Sequence, residues 1–287
     1  MRYLTALLVG LLVTPLSLAN ESGGNDVAKF TELEKRTGGR IGVAAVDIAK
    51  NTRIEYHADQ RFLMCSTFKV LAAAAVLKRV DDKKEKLERF VRYGEAQLLE
   101  YAPVTRAHVT EGGMTLEALC AAALEQSDNT AANLLLEAIG GPKGVTETAR
   151  ALGDNSTHLD RMEPELNMAA EGDERDTTTP AAMCHGLERL FTSAFLSATS
   201  RERLENWMRA NQTGLKMIRA SVPAAWRAGD KTGRSGKGAT NDIAILRPPS
   251  GGPIFMAIYV VDAGEPQERR DELVAEVAKL ALEALDK

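Results

Sequence analysis

The chain has 287 residues, with 36 Lys and Arg against 40 Asp and Glu and a formal net charge of −4 when its 4 His are neutral. That balance gives no electrostatic reason to expect a nucleic acid as partner. At 44% hydrophobic, 26% charged and 5% aromatic residues, the composition is that of a soluble globular protein of one or two domains. It excludes a disordered, collagen-like or disulfide-scaffold chain.

The first segment does not read as part of the fold. Arg2 precedes an apolar run from Leu4 to Val13, followed by Pro15 and the small-residue pattern Ser17-Leu18-Ala19, which is the pattern of a cleaved secretory signal over residues 1–19. The run is shorter than the ~20 apolar residues a membrane span needs, and no later stretch qualifies. No Cys follows it to take a lipid. The expectation is an exported protein, periplasmic in a Gram-negative source, with no membrane attachment after cleavage.

Next comes a helix over Val27 to Lys35, stopped by Gly38-Gly39. Arg40 to Ile48 and Thr52 to His57 read as a hairpin around the Lys50-Asn51 turn. From Ser66 onward the period changes to helical, with helices expected at Val70 to Arg79, Thr115 to Glu125, Thr130 to Ile139, Val145 to Leu152, Pro180 to Phe191 and Ser200 to Arg209. Strand character returns at Arg227 to Thr232, Asn241 to Arg247 and Ile254 to Val261, before a last amphipathic helix, Glu268 to Leu285. Short strands at both chain ends cannot bury a face alone, so one sheet assembled from both ends is the economical solution. The expected fold is therefore α+β. A five-stranded antiparallel sheet domain is built from residues 20–62 and 210–287, an all-helical domain is inserted at 63–209, and the active site lies between them. Asp154 to Asp176 is long, polar and aperiodic, and loops of that kind are usually functional.

Three cysteines, Cys65, Cys120 and Cys184, cannot all pair with one another. Cys120 and Cys184 sit in apolar helical patterns and read as small buried hydrophobes. Cys65 adjoins a candidate nucleophile, with no spacing to His or Cys that would suggest metal binding or thiol catalysis.

That nucleophile is Ser66, in the run Ser66-Thr67-Phe68-Lys69. If Ser66 opens the following helix, the three-residue offset places a hydroxyl and an amine on one helical face. The helix N-terminus adds free N–H groups and the positive dipole end, suited to an oxyanion. Alone the motif is weak, since about one S-x-x-K is expected by chance in a chain of this length, and a helix cap is the simpler reading of Ser66. Ser127-Asp128-Asn129 before a helix and Lys231-Thr232-Gly233 at a strand end change this, each being expected in only about one such chain in twenty. The simpler readings, a helix cap and an exposed strand end, do not account for all three in this order, which is the signature of class A β-lactamases and penicillin-binding proteins.

The sequence resembles a class A serine β-lactamase over essentially the whole chain after the signal. Arg161-Met162-Glu163-Pro164-Glu165-Leu166-Asn167 matches the family's R-x-E-P-x-L-N loop, Tyr101-Ala102-Pro103 its aromatic gatekeeper segment, and Asp176-Thr177 its loop end. Thr240-Asn241-Asp242 and the Cys before the nucleophile are similar to the cefotaxime-hydrolysing branch. Two disulfides seen among relatives have no counterpart here, because Val70 to Val80 lacks a Cys and Arg234-Ser235-Gly236 follows the K-T-G.

The resemblance implies a hydrolase that opens the β-lactam amide of penicillins and cephalosporins through a Ser66 acyl-enzyme and so confers antibiotic resistance. Lys69, or Glu163 through a water, takes the serine proton, an assignment left open. Ser127 relays a proton to the leaving nitrogen, and Glu163 with Asn167 holds the deacylating water. Asn129 holds the substrate's side-chain amide, Tyr101 flanks the cleft, and Lys231, Thr232 and Gly233 form the carboxylate end. The backbone N–H groups of Ser66 and Arg234 form the oxyanion hole. Arg270, or less so Arg269, is a candidate second cation for the carboxylate, because Thr240 stands where other members carry an Arg. Without the resemblance, Glu163 reads as a solvated loop carboxylate and Arg270 as a surface charge. The scheme needs no metal or organic cofactor, and a monomer is expected. A D-alanyl-D-alanine peptidase or a non-enzymatic β-lactam sensor would share the three motifs but would not need Glu163 or Asn167. Two local expectations follow from the loop: an ion pair between Arg161 and Asp176 closing it, and a cis Glu163-Pro164 bond.

Overall fold

The computed structural model describes residues 24–168, 172–264 and 266–287. The signal segment at residues 1–19 lies outside the described residues. In chain order, α1 (Gly24–Thr37) leads to the hairpin β1 (Arg40–Asp47) and β2 (Thr52–Tyr56), then to β3 (Phe62–Leu63) and α2 (Phe68–Asp81). β4 (Phe90–Arg92), β5 (Gly113–Thr115), α3 (Leu116–Glu125), α4 (Asn129–Ala138) and α5 (Pro142–Ala151) follow. After β6 (Thr177–Thr178) come α6 (Pro180–Thr192), α7 (Ala198–Arg209), β7 (Arg227–Arg234), β8 (Thr240–Arg247), β9 (Ile254–Val261) and α8 (Gln267–Leu285).

The main sheet has the order β2-β1-β9-β8-β7 and every pairing in it is antiparallel. The N-terminal hairpin joins the C-terminal strands through β1 and β9, where Arg40 stands opposite Val261 and Asp47 opposite Ile254. An isolated hairpin is marginal in water, so the two chain ends complete one another, as the sequence pattern requires. All of β1 after Arg40 is buried, because both faces of the sheet are covered. Ile41, Val43 and Ala45 pack with Phe30 of α1 and Leu273, Val274 and Val277 of α8. The alternate residues Ala44 and Val46 join the cluster of Phe68, Leu135, Leu187 and Tyr259. Side chains alternate along a strand, and here each set meets its own apolar layer.

α2 is buried without interruption from Phe68 to Leu77, as expected of a helix apolar on all sides. Its Ala72–Ala75 run leaves little side-chain bulk between it and its neighbours. Several helix starts follow from side-chain caps: Thr115, Asp128, Thr179 and Ser197 accept from the N–H of Ala118, Ala131, Ala182 and Ser200, satisfying donors that the first turn leaves free. The two-stranded pairings β3–β6 and β4–β5 are too short for hydrophobic period to announce them.

All three cysteines are free and buried, so neither of the relatives' bridges forms. Burial pushes the Cys184 thiol up to about 12. It pushes Cys120 up as well, and Cys65 through burial and then the Glu163 carboxylate, against Lys69. Thiolate is the reactive form, so an aromatic disulfide reagent at pH 8 is expected to modify no cysteine within minutes in the native protein and all three after unfolding. Rapid labelling of the folded protein would contradict this.

Candidate active site

The candidate nucleophile, Ser66, sits on a tight turn. Cys65–Thr67 form a single 3₁₀ turn that runs directly into α2, and Cys65 takes a left-handed φ of 46°. A non-glycine residue in that region costs on the order of 1–3 kcal/mol, so the surroundings must hold it. Thr67 does so by donating to the Met64 carbonyl at 2.8 Å, with its hydroxyl 3.1 Å from that of Tyr259 on β9. Asn241 of β8 donates to the Leu63 carbonyl at 2.8 Å. From the other side β7 presses against the turn at Gly233. A Cβ there would stand 2.7 Å from the Met64 oxygen and 3.2 Å from the Ser66 nitrogen, so only glycine lets the strand lie alongside the Ser66 amide.

Two lysines converge on Ser127, itself held at a left-handed φ of 57°. Lys69 is fully buried; its Nζ donates to the Ser127 carbonyl at 2.9 Å and to Asn129 Oδ1 at 2.7 Å, with Ser127 Oγ at 3.4 Å. Lys231, also fully buried, donates to Ser127 Oγ at 2.9 Å. Burial lowers the Lys69 pKa, opposed chiefly by the Glu163 carboxylate. Lys231 is held well below the usual lysine range by burial and then by the like charge of Lys69. Between the lysines' motifs, Asp128 fixes the rim. One carboxylate oxygen caps Ala131 and the other accepts from the N–H groups of Val104 and Thr105 at 2.9 and 2.8 Å.

The loop from Asp160 to Asp176 delivers Glu163. Its Oε1 accepts from the Ser66 hydroxyl at 3.4 Å and lies 3.3 Å from Lys69 Nζ, while Asn167 Nδ2 donates to Oε2 at 2.6 Å. One oxygen thus faces both the nucleophile and the lysine. Glu163 is buried at 2% exposure, not solvated as its composition alone would suggest. The loop is closed at its neck, where Asp176 accepts from the N–H groups of Asp160 and Arg161 at 2.8 and 2.9 Å and pairs with Arg161 Nε at 2.5 Å. The Glu163-Pro164 bond is cis.

Ser66, Tyr101, Ser127, Asn129, Asn167, Thr213, Thr232 and Arg234 line one cleft of about 320 Å³. Lys69, Glu163 and Lys231 stand behind these residues, bonded to Asn129, Ser66 and Ser127 respectively, and Gly233 supports the cleft through the contact with the Ser66 turn. Arg270 is not the surface charge that its residue type alone suggests. It is buried, donates to the Gly264 carbonyl, Gln267 Oε1 and Thr240 Oγ1 at 2.7, 2.8 and 3.3 Å, and is not among the residues lining the cleft. Its donors thus go to the segment before α8, to the first residue of α8 and to β8. Arg269 is exposed and pairs with Glu272 at 3.9 Å.

Sequence reasoning missed Asn133 and Thr213. Asn133 donates to the Glu163 carbonyl and accepts from its N–H, both at 2.9 Å. Its one signal was its place four residues after Asn129, on the same helix face. Thr213 reaches the Thr232 hydroxyl at 2.6 Å and carries no motif at all.

A serine hydroxyl, two buried lysines and a buried carboxylate around an open cleft define a catalyst of acyl transfer through serine. The beta-lactamase enzyme family model matches residues 27–285. The chain is 45% identical to beta-lactamase CTX-M-8 of Citrobacter amalonaticus over 98% of this chain and 96% of that one. It is 45% identical to beta-lactamase OXY-2 of Klebsiella oxytoca over 90% and 88%. Among solved structures, a class A beta-lactamase described as the last common ancestor of Gram-negative bacteria superposes with a TM-score of 0.88 at 54% identity, covering 90% of this chain and 98% of that one. The chain belongs to the class A serine β-lactamases.

Removing the Asp176 carboxylate leaves two backbone donors and a largely buried guanidinium without their acceptor. Asp176→Ala is therefore expected to lower stability by roughly 3 kcal/mol and to depress activity by loosening the loop that carries Glu163. Denaturant midpoints and initial rates on one preparation check it; a parental midpoint would contradict the role of this pair.

Proposed function

We propose that this protein hydrolyses the β-lactam amide of penicillins and cephalosporins through a Ser66 acyl-enzyme, conferring resistance to them. The observation that carries the reading is the single Glu163 oxygen within reach of both the Ser66 hydroxyl and the Lys69 ammonium. Ser66 Oγ adds to the lactam carbonyl as its proton passes to the Lys69–Glu163 pair, and the oxyanion is met by the N–H groups of Ser66 and Arg234. The carbon–nitrogen bond then breaks, and the nitrogen takes a proton through Ser127, whose hydroxyl is flanked by Lys69 and Lys231. A water held by Glu163 and Asn167 loses a proton to Glu163 and adds to the ester carbonyl; the bond from that carbon to Ser66 Oγ then breaks, and Oγ takes the proton back from Glu163. The products are the opened acid and free Ser66.

Asn129 and Tyr101, at the cleft rim, hold the substrate's amide side chain, and Lys231 and Thr232 hold its carboxylate. The buried Glu163 favours this reading, because a β-lactam sensor stops at the acyl-enzyme and a D-alanyl-D-alanine peptidase would not need a carboxylate on this loop. Export through the segment at residues 1–19, action as a monomer in the periplasm, and division into a sheet domain and an inserted helical domain complete the proposal.

The decisive test separates acylation from deacylation. Glu163→Ala leaves Ser66 able to attack, so the variant is expected to accumulate a mass increase of one opened penicillin, with turnover reduced on the order of 10² to 10⁴ as for loss of a general base. Ser66→Ala gives no adduct. Near-parental turnover by Glu163→Ala without adduct would refute the role of Glu163.

A further inference from the structure

We infer that the side chain of Arg234 reads the substrate carboxylate and sets the preference for anionic β-lactams. The inference rests on the hydrolase reading and concerns a side chain that so far entered only through its backbone N–H. Thr232 and Arg234 stand two residues apart on β7, so their side chains project from the same face, and both line the cleft that holds Ser66. Thr213 links them: its hydroxyl lies 2.6 Å from that of Thr232, and its carbonyl accepts from the Arg234 guanidinium at 3.3 and 3.4 Å. A carboxylate seated on the Thr232 hydroxyl therefore has this guanidinium as its next neighbour.

The guanidinium is aimed rather than loose. Nη2 is fixed by Asp271 of α8 at 2.9 and 3.0 Å and by Met217 Sδ at 3.2 Å, whereas the contact of Nη1 is the long one to Thr213. The side chain keeps 30% of its surface exposed, so one edge is held by protein and the other is available to a second acceptor. Asp271 is itself braced by Gln267 Nε2 at 2.9 Å, and Gln267 Oε1 accepts from Arg270 at 2.8 Å. Arg270 is thus a positioning residue three hydrogen bonds behind Arg234.

Charge argues the same way. Lys231 is buried and its ammonium is destabilised by desolvation and by Lys69, while a guanidinium stays charged at any working pH and suits the planar carboxylate geometry.

The test compares benzylpenicillin with its uncharged methyl ester. For Arg234→Ala we expect KM for the acid to rise about tenfold, as for loss of a charge-assisted hydrogen bond made in ground and transition states alike. Rates on the ester should fall by a smaller factor than those on the acid, since the ester offers no charge to lose. Arg234→Lys keeps part of the acid preference, and Arg234→Gln repeats the loss should the alanine variant fail to fold. Thermal melts and the ester rates separate this from a merely structural effect. An acid-to-ester preference unchanged in both Arg234→Ala and Arg234→Gln, or lost in Arg270→Ala but kept in Arg234→Ala, overturns the inference. A wild-type enzyme that opens neither compound overturns the hydrolase reading on which it rests.

Discussion

The Ser127 hydroxyl lies between two fully buried ammonium groups, Lys69 from the helical layer and Lys231 from the sheet. Taking an ammonium group out of water costs several kcal/mol unless acceptors replace the lost hydration. The site supplies them from three separate segments: the Ser127 carbonyl, Asn129 Oδ1 and the Glu163 carboxylate around Lys69, and the Ser127 hydroxyl and Thr232 carbonyl around Lys231. None of these segments can move far without exposing or orphaning a charge. The docking of sheet on helices, the left-handed backbone at Ser127 and the closure of the Glu163 loop all serve that one requirement.

The same requirement explains why the chemistry sits on irregular backbone braced by regular elements. Ser66 and Ser127 lie at or beside left-handed residues, and each is fixed by neighbours whose own positions are rigid: Tyr259 and Asn241 in the sheet, Asp128 at the start of α4. Glu163 rides on a loop, yet its backbone is gripped on both sides by Asn133 from a helix. Preorganisation of this kind keeps reacting groups aligned without rearrangement during the reaction.

The cleft has two unlike ends. Around Ser66 and Glu163 the groups are buried and hydrogen-bonded to one another, which suits proton transfer between neighbours. At Thr232 and Arg234 the surface opens, and the Arg234–Asp271 pair leaves one guanidinium edge facing outward. Thr240 of β8 carries no charge, and Arg234 of the neighbouring β7 lines the cleft.

Much of this was legible in the chain itself. Periodicity located every strand of the main sheet and every α-helix to within a few residues, because burial on one or two faces writes itself into residue order. Three short motifs marked Ser66, Lys69, Ser127 and Lys231 as candidates, because each motif's residues lie within a turn or strand step of one another in sequence. What residue order could not determine were the contacts made across the fold. Asn133 gripping Glu163, Thr213 bridging Thr232 and Arg234, Asp271 aiming that arginine, and Arg270 folding back onto its own helix turn depend on how α4, β7 and α8 approach one another. That approach is decided by the packing of whole apolar faces, and no local pattern records which polar side chains will meet once those faces close.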